Sequence, residues 1–297
     1  MTVSPFDLSS YTARLRAPIE AALVRYTEFD EGCPDRLRDA IRHSLLAPGK
    51  RLRPMLVLMA ADACGCEPQV ALPAACAVEM VHTYSLIHDD LPAMDDDDMR
   101  RGRPSCHAAF DEATAILAGD ALLARALEIT ARDLSSPAVA ARCVAELAHA
   151  AGATALVGGQ ADDLAAEFSD AGIDELERIH CRKTGAMFRV SLRLGGIVGA
   201  ASDQQLAALD TYGDHLGLAF QITDDLLDVK GDAAAMGKRV AKDSNRGKRT
   251  FPTLLGIDAS LQRARQLIAE ACAALTEFGT RATPLESLAR YVLERNR

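Results

Sequence analysis

Apolar residues recur at intervals of three and four along almost the whole 297-residue chain, with polar residues between them. Alanine and leucine dominate these stretches, β-branched runs are short, and no segment alternates with the period of two that marks a strand. The pattern predicts an all-α protein with helices near 7–28, 34–46, 53–64, 70–90, 110–130, 137–156, 174–195, 203–228, 251–278 and 284–294. The breaks fall at local punctuation: Gly32 with Pro34, Pro48 with Gly49, Gly65, Pro92, Gly102 with Pro104, and Pro137. No short repeat or low-complexity linker divides the chain, so a single domain over 1–297 is expected. Residues 230–250 depart from the pattern, with seven lysines and arginines and few large apolar side chains. A polar loop of that length is either a solvated connection or a functional lid.

The stretch LIHDDLPAMDDDDMRRGRP at 86–104 places six aspartates in ten positions and then three arginines in four. Val78, His82, Ser85 and Asp89 share one helical face. Pro92 removes a backbone donor and is expected to end or kink that helix, so that Asp89 and Asp95 are drawn to one locus. A second acidic group stands in FQITDDLLDVKGD, where Asp224 and Asp228 are four residues apart, on the face that also carries Gly217 and Gln221. Like charges at that spacing destabilise a bare helix by a few tenths of a kcal/mol. A divalent cation reverses the sign, and hard oxygen ligands suit Mg²⁺ or Mn²⁺. Either cluster alone reads more readily as a solvated acidic helix end; two, each closing an apolar helix, point to metal. The DDDD run lacks the alternating ligands, central glycine and closing glutamate of an EF-hand.

Cations recur beside these carboxylates. Arg100 and Arg101 follow the first cluster, and APGKRLRP brings Lys50, Arg51 and Arg53 to a helix start, where backbone N–H groups favour anions. HCRKTGAMF adds Lys183 with Thr184, and the polar loop adds Lys238 and Lys248. Metal-bound carboxylates beside guanidiniums suit a phosphorylated substrate, because both bind phosphate oxygens. PGKR lacks the glycine spacing and the Ser/Thr of a nucleotide phosphate loop, and no GxSxG or Cys/His signature of covalent catalysis is present. Metal-bridged diphosphate chemistry is therefore favoured.

Composition narrows the setting. With 49% hydrophobic and 25% charged residues the chain fits a globular protein with a sizeable core. A formal net charge of -9 argues against a nucleic-acid partner. The N-terminus lacks a signal-peptide pattern, and no uninterrupted apolar run is long enough to suggest a transmembrane span. The eight cysteines are scattered, with only Cys64 and Cys66 close, so reduced thiols in a cytoplasmic protein are expected and a metal or redox role is not.

GKRLRP, HTYSLIHDDLPAMDDDDMRRGRPSCH, GGQADDL, HCRKTGAMF, FQITDDLLD and GKRTFPTLLG, in this order, resemble the trans-prenyltransferases, and most closely the bacterial farnesyl diphosphate synthases. The resemblance spans nearly the whole chain. It implies an all-α bundle around a deep central cavity, a homodimer, and condensation of an allylic diphosphate with isopentenyl diphosphate assisted by three Mg²⁺ ions. Carried over to this chain, it implies that Asp89 and Asp95 bind two metals and Asp224 the third, with Asp90 and Asp228 in support. Arg100, Lys183, Gln221 and Lys238 would hold the allylic diphosphate. Gly49, Lys50, Arg53, His82 and Arg101 would hold isopentenyl diphosphate, and Thr184 would steady the cation. Closure of the 230–250 segment would exclude water.

Tyr84, five residues before Asp89, stands where the family places an aromatic floor that stops growth at fifteen carbons; a plain core residue is the other reading. The two-residue insertion of Pro92 and Ala93 fits the same bacterial short-chain type. Geranyl or geranylgeranyl diphosphate is the alternative product. Three departures stand out: Ala241 in the lid motif GKRVAKD, Phe251 in TFP, and Asp162 in GGQADDL, where an apolar residue is common. They bear on lid flexibility and packing more than on chemistry. A terpene cyclase, a non-catalytic subunit and a Mg²⁺-dependent diphosphatase are weaker readings. The chain keeps DDLLD, loses neither aspartate motif, and carries a second anion site that a phosphatase does not need.

Overall fold

The computed structural model describes residues 6–166, 172–235 and 249–294, with backbone alone over 230–235. Two compact units emerge from the packing: Ser9–Ala148 with Leu194–Ala200, and His149–Arg193 with the chain before Ser9 and from Ala201 onward.

The first unit holds α1 (Leu8–Tyr26, from its second residue), α2 (Asp35–Leu45), α3 (Leu52–Ala63), a 3-10 turn (Pro68–Ala71), α4 (Leu72–Asp89), a hairpin of β1 (Met99–Arg100) and β2 (Arg103–Pro104), α5 (Cys106–Ala109), α6 (Glu112–Asp133) and most of α7 (Pro137–Ala151). Its centre is α4, where Ala74 to Val81 are buried without interruption. A helix apolar on every side belongs inside a core. Each fully buried Met, Val or Ile there contributes about 1.5–3 kcal/mol. Pro68–Asp89 is long and apolar enough by length and composition to cross a bilayer, with a mean hydropathy of 1.4 over 18 residues, but Glu79 and His82 interrupt it, in keeping with the expectation of no uninterrupted apolar run. Its 67% burial within the protein instead identifies a core helix, packed against α3 and α6.

The second unit contains α8 (Leu156–Ala166), α9 (Ile173–His180), a π-helical turn (Cys181–Gly185), α10 (Ala186–Val198, whose last residues belong to the first unit), α11 (Asp203–Ala235), α12 (Phe251–Leu255), α13 (Ile257–Ala274), a 3-10 turn (Thr276–Ala282) and α14 (Thr283–Glu294). The 33-residue α11, about 50 Å long at 1.5 Å per residue, packs Leu209, Leu216, Ile222 and Leu226 into this core, largely against α13. Tyr212 buries its ring and donates its hydroxyl to the Leu285 carbonyl at 2.7 Å.

The helical class agrees with the apolar pattern; several boundaries do not. The expected 137–156 helix stops at Ala151, and α8 follows where none was expected, because Gly158 and Gly159 lower the helix propensity of that segment. The 174–195 stretch contains the π turn, and the 251–278 stretch breaks at Gly256, whose φ of +85° suits glycine alone. Helix α11 continues past 228 to Ala235, so the first part of the expected lid is helical. Strands of two residues leave no periodic trace, which is why the hairpin was not foreseen.

Candidate active site

Helix α4 ends at Asp89, and Asp90 and Leu91 lead into Pro92, which disfavours helical geometry before it. The carbonyls at such a helix end need donors from elsewhere. They find them in the aspartate loop, which turns back on the helix. The Asp95 N–H donates to the Asp89 carbonyl at 2.8 Å, the Asp97 N–H to the Asp90 carbonyl at 3.1 Å, and the Met94 and Asp96 N–H groups to the Leu91 carbonyl at 2.9 and 3.1 Å. The break thus brings Asp95 beside Asp89. Asp89 and Asp90 are buried, Asp95 and Asp97 half-buried, and Asp96 and Asp98 exposed.

Carboxylates at the negative end of a helix dipole are unfavourably placed and call for a counter-cation. Arg100 answers for Asp90: its Nε donates to the two carboxylate oxygens at 3.0 and 3.2 Å, and its Nη2 to Oδ1. Burial pushes the Asp90 carboxyl up, with Asp97 and Asp95 adding to the rise, while Arg100 pulls it down. The hairpin separates the adjacent arginines. Met99 pairs with Pro104 and Arg100 with Arg103, leaving Arg101 and Gly102 in the turn with φ of 53° and 75°. Positive φ at both central positions matches the twist of a two-residue hairpin. Arg100 therefore joins Asp90, while Arg101 reaches the Pro48 carbonyl at 3.5 Å.

Arg101 thereby joins the second cationic group. Helix α3 starts at Leu52, so Lys50 and Arg51 precede it and Arg53 lies in its first turn. Lys50 is exposed, and Arg53 donates from Nη1 to His82 Nε2 on α4 at 3.2 Å. His82 keeps part of its surface open, yet burial, then Arg53, Arg101, Arg100 and Arg51, push its imidazole well below its ordinary value. A ring held neutral with several guanidiniums nearby adds no positive charge of its own and leaves a cationic neighbourhood that suits an anion. Deeper along α4, the buried Tyr84 ring meets His88 edge-on at 5.6 Å and 83°, and His88 bonds the Ile116 carbonyl through Nε2 at 3.1 Å.

In the second unit, Asp224 and Asp228 stand one turn apart on α11, half-buried and exposed respectively. Between them Asp225 is buried, a position the sequence reading passed over. It accepts from Gln221 Nε2 and from the Phe251 N–H, both at 3.0 Å. Burial raises its carboxyl to about 6, against the lowering by those two donors. Thr184 Oγ1 donates to Gln221 Oε1 at 3.3 Å, so one hydrogen-bonded chain joins Thr184, Gln221, Asp225 and Phe251.

Lys183 and Thr184 lie in the π-helical turn, a geometry that recurs at functional sites. Lys183 donates to Asp163 of α8 at 2.9 Å, a partner twenty residues away that local spacing did not reveal. A Cβ at Gly159 would meet the Lys183 backbone nitrogen at 2.6 Å, so glycine is needed where α8 approaches the turn. Asp162, the departure from the family pattern, has found partners of its own: Arg178 donates to it at 3.0 Å and Arg182 from Nη1. Phe251 is fully buried and stacks on His180 at 5.8 Å. Lys238, Ala241 and Lys248 lie outside the described residues.

Each acidic cluster fits a hard divalent cation by the chemistry of its donors. Among the described residues no three His, Cys, Asp or Glu side chains form a ready-made cage. Mg²⁺ does not need one, since it takes one or two carboxylates and completes its shell with water and substrate phosphate.

Residues 34–280 match the family model described as Polyprenyl synthetase. The chain is 47% identical over 264 residues to a farnesyl diphosphate synthase of Geobacillus stearothermophilus, covering 88% of this chain and 89% of that protein. It is 43% identical over 295 residues to a chloroplastic geranylgeranyl pyrophosphate synthase of Arabidopsis thaliana, covering 98% and 84%. A solved FPP/GFPP synthase from Zymomonas mobilis superimposes with a TM-score of 0.86 at 38% identity, covering 96% and 98% of the two chains. With both aspartate clusters, the paired arginines and the KTG turn in the places just described, the chain belongs to the polyprenyl synthetase family.

Proposed function

We propose that this prenyltransferase, a short-chain trans-prenyl diphosphate synthase, extends dimethylallyl and geranyl diphosphate with isopentenyl diphosphate and releases mainly farnesyl diphosphate. The observation that carries the reading is the fold-back of the aspartate loop, which sets Asp95 against the end of α4 beside Asp89.

Asp89 and Asp95 are assigned to two Mg²⁺ ions and Asp224 to a third, with Asp90 and Asp228 in support. Bound there, Mg²⁺ (or Mn²⁺) would supply charge neutralisation for a diphosphate leaving group. Arg100, Lys183, Gln221 and Lys238 hold that diphosphate. Arg100 and Lys183 start from carboxylate partners, Asp90 and Asp163, which hold the two cations in place before substrate arrives. Thr184 spends its hydroxyl proton on Gln221, so its oxygen lone pairs remain for the allylic cation. Gly49, Lys50, Arg53, His82 and Arg101 hold isopentenyl diphosphate, whose double bond attacks the cation. The released diphosphate then takes the proton that restores neutrality.

Farnesyl diphosphate follows from Tyr84 as the floor, a reading supported by the packing of its ring against His88. The whole chain acts as one catalytic domain, as a homodimer in the cytoplasm; eight free thiols fit a reducing compartment. Incubation with isopentenyl diphosphate, each allylic diphosphate and Mg²⁺, followed by product chromatography, is expected to give a fifteen-carbon main product. Absence of any elongated product overturns the activity. A twenty-carbon main product, or an unchanged product from Tyr84→Ala, overturns only the floor.

A further inference from the structure

Arg51 stands between two residues assigned to the isopentenyl diphosphate site, yet has no place in that site itself. Its guanidinium is buried, with 2% of the residue exposed. Nη1 donates to Glu79 of α4 at 2.8 Å, Nε and Nη2 to Glu20 of α1 at 2.9 and 3.2 Å, and Nη2 also to the Ala47 carbonyl at 2.9 Å. Its backbone is left-handed, φ 49° and ψ 38°, a conformation that non-glycine residues keep only where surrounding contacts enforce it.

The loop that Arg51 closes has no regular structure of its own. Three successive carbonyls in it are taken by three guanidiniums: Ala47 by Arg51, Pro48 by Arg101 at 3.5 Å, and Gly49 by Arg16 of α1. A Cβ at Gly49 would come within 2.5 Å of Arg101 Nη1, so the loop is also packed tightly against that side chain. The trans peptides then aim the Gly49 and Lys50 N–H groups away from the guanidiniums. Glu79, one turn before His82, ties the same loop to the helix that presents the histidine.

We propose that Arg51 is a positioning residue for the second diphosphate site: by bridging α1 and α4 from a left-handed backbone, it fixes where Gly49, Lys50 and Arg53 stand relative to His82, with Arg16 as its outer support. The proposal rests on the reading that these residues bind isopentenyl diphosphate. Deleting one partner of a buried ion pair strands the other and endangers the fold. The informative change is therefore Arg51→Lys, which keeps the charge and loses the simultaneous reach to Glu20, Glu79 and Ala47.

Steady-state kinetics with the two substrates varied separately tests the proposal. Arg51→Lys is expected to raise KM for isopentenyl diphosphate about tenfold, with KM for the allylic diphosphate within about twofold of wild type. An unchanged KM with a lowered melting temperature, or equal losses for both substrates, overturns it. Arg16 is exposed, so Arg16→Gln keeps the question open to experiment if Arg51→Lys does not fold. A rise of about threefold in KM for isopentenyl diphosphate is expected there, and no change overturns the proposal. Lys50→Ala separates the two levels. If its KM for isopentenyl diphosphate stays at wild type, the site reading falls and the proposal with it. If it rises while Arg51→Lys and Arg16→Gln leave the value unchanged, positioning alone falls.

Discussion

At Asp89 the helix stops and the chain turns back, so that Asp95, six residues on, lies against the helix end; at Asp224 the helix runs through, and Asp228 follows one turn later. The first arrangement depends on a proline-directed stop and four loop amides that bond the carbonyls of Asp89, Asp90 and Leu91 at and just beyond the helix end. The second needs only the helical repeat, with Gln221 and the Phe251 N–H holding the buried Asp225 between the outer carboxylates. A cluster built from a broken helix collects ligands that periodicity scatters, at the cost of relying on loop geometry. One built on a continuous helix is rigid and limited to positions that share a face.

Substituting single carboxylates tests that contrast most severely. Asp89→Ala or Asp224→Ala should each lower turnover by a factor on the order of 10² to 10³ or more, with helical circular dichroism unchanged. Near-normal rates in either variant would remove its cluster from the chemistry. Asp90→Asn keeps the shape of the side chain and gives up the charge that holds Arg100. Its activity should fall roughly 10- to 100-fold, the range for outer partners of a metal site, with a rise in KM for the allylic diphosphate. An equal effect on isopentenyl diphosphate would contradict the division of Arg100 and Arg101 between substrates.

The cation-rich side of the first unit has a pH signature. His82 is held below its ordinary value by burial first and the arginines second, so the folded protein resists protonating it. Below about pH 6.5 the unfolded chain takes up a proton that the folded one does not, and stability falls as pH falls, by at most about 1.4 kcal/mol per unit. Above that pH both states are neutral and the contribution is complete. His82→Gln should flatten the denaturant midpoint between pH 5 and 6.5, and an unaltered slope would contradict this account. The smallest effect concerns the segment that Asp225 grips. Thr250 and Thr253 form a capping box at the start of α12, so Thr250→Ala should cost about 1 kcal/mol in thermal unfolding. A neutral result would leave Asp225 as the principal tether of that helix start.

Both clusters were visible from residue order because each is local: one a four-residue spacing, the other a proline break. Arg100 and Arg101 were also visible, though not the hairpin that parts them, since two paired residues carry no periodic signal. The π turn at Lys183, the α8 approach at Gly159 and the pairing of Asp162 with two arginines escaped the pattern for another reason. Their partners lie sixteen to twenty residues away or more, and nothing in a helical repeat says which charged neighbour across a packed interface will be met.

Sequence by itself determined the helical class, the two carboxylate groups, the cations beside them and the break that folds one group together, because backbone propensity, periodicity and proline act over a few residues. Tertiary structure alone decided which carboxylate each cation holds, why Arg51 sits in a left-handed conformation between Glu20 and Glu79, and why His82 stays neutral. Those outcomes depend on burial and on charges brought together from distant positions, and only the folded chain sets either.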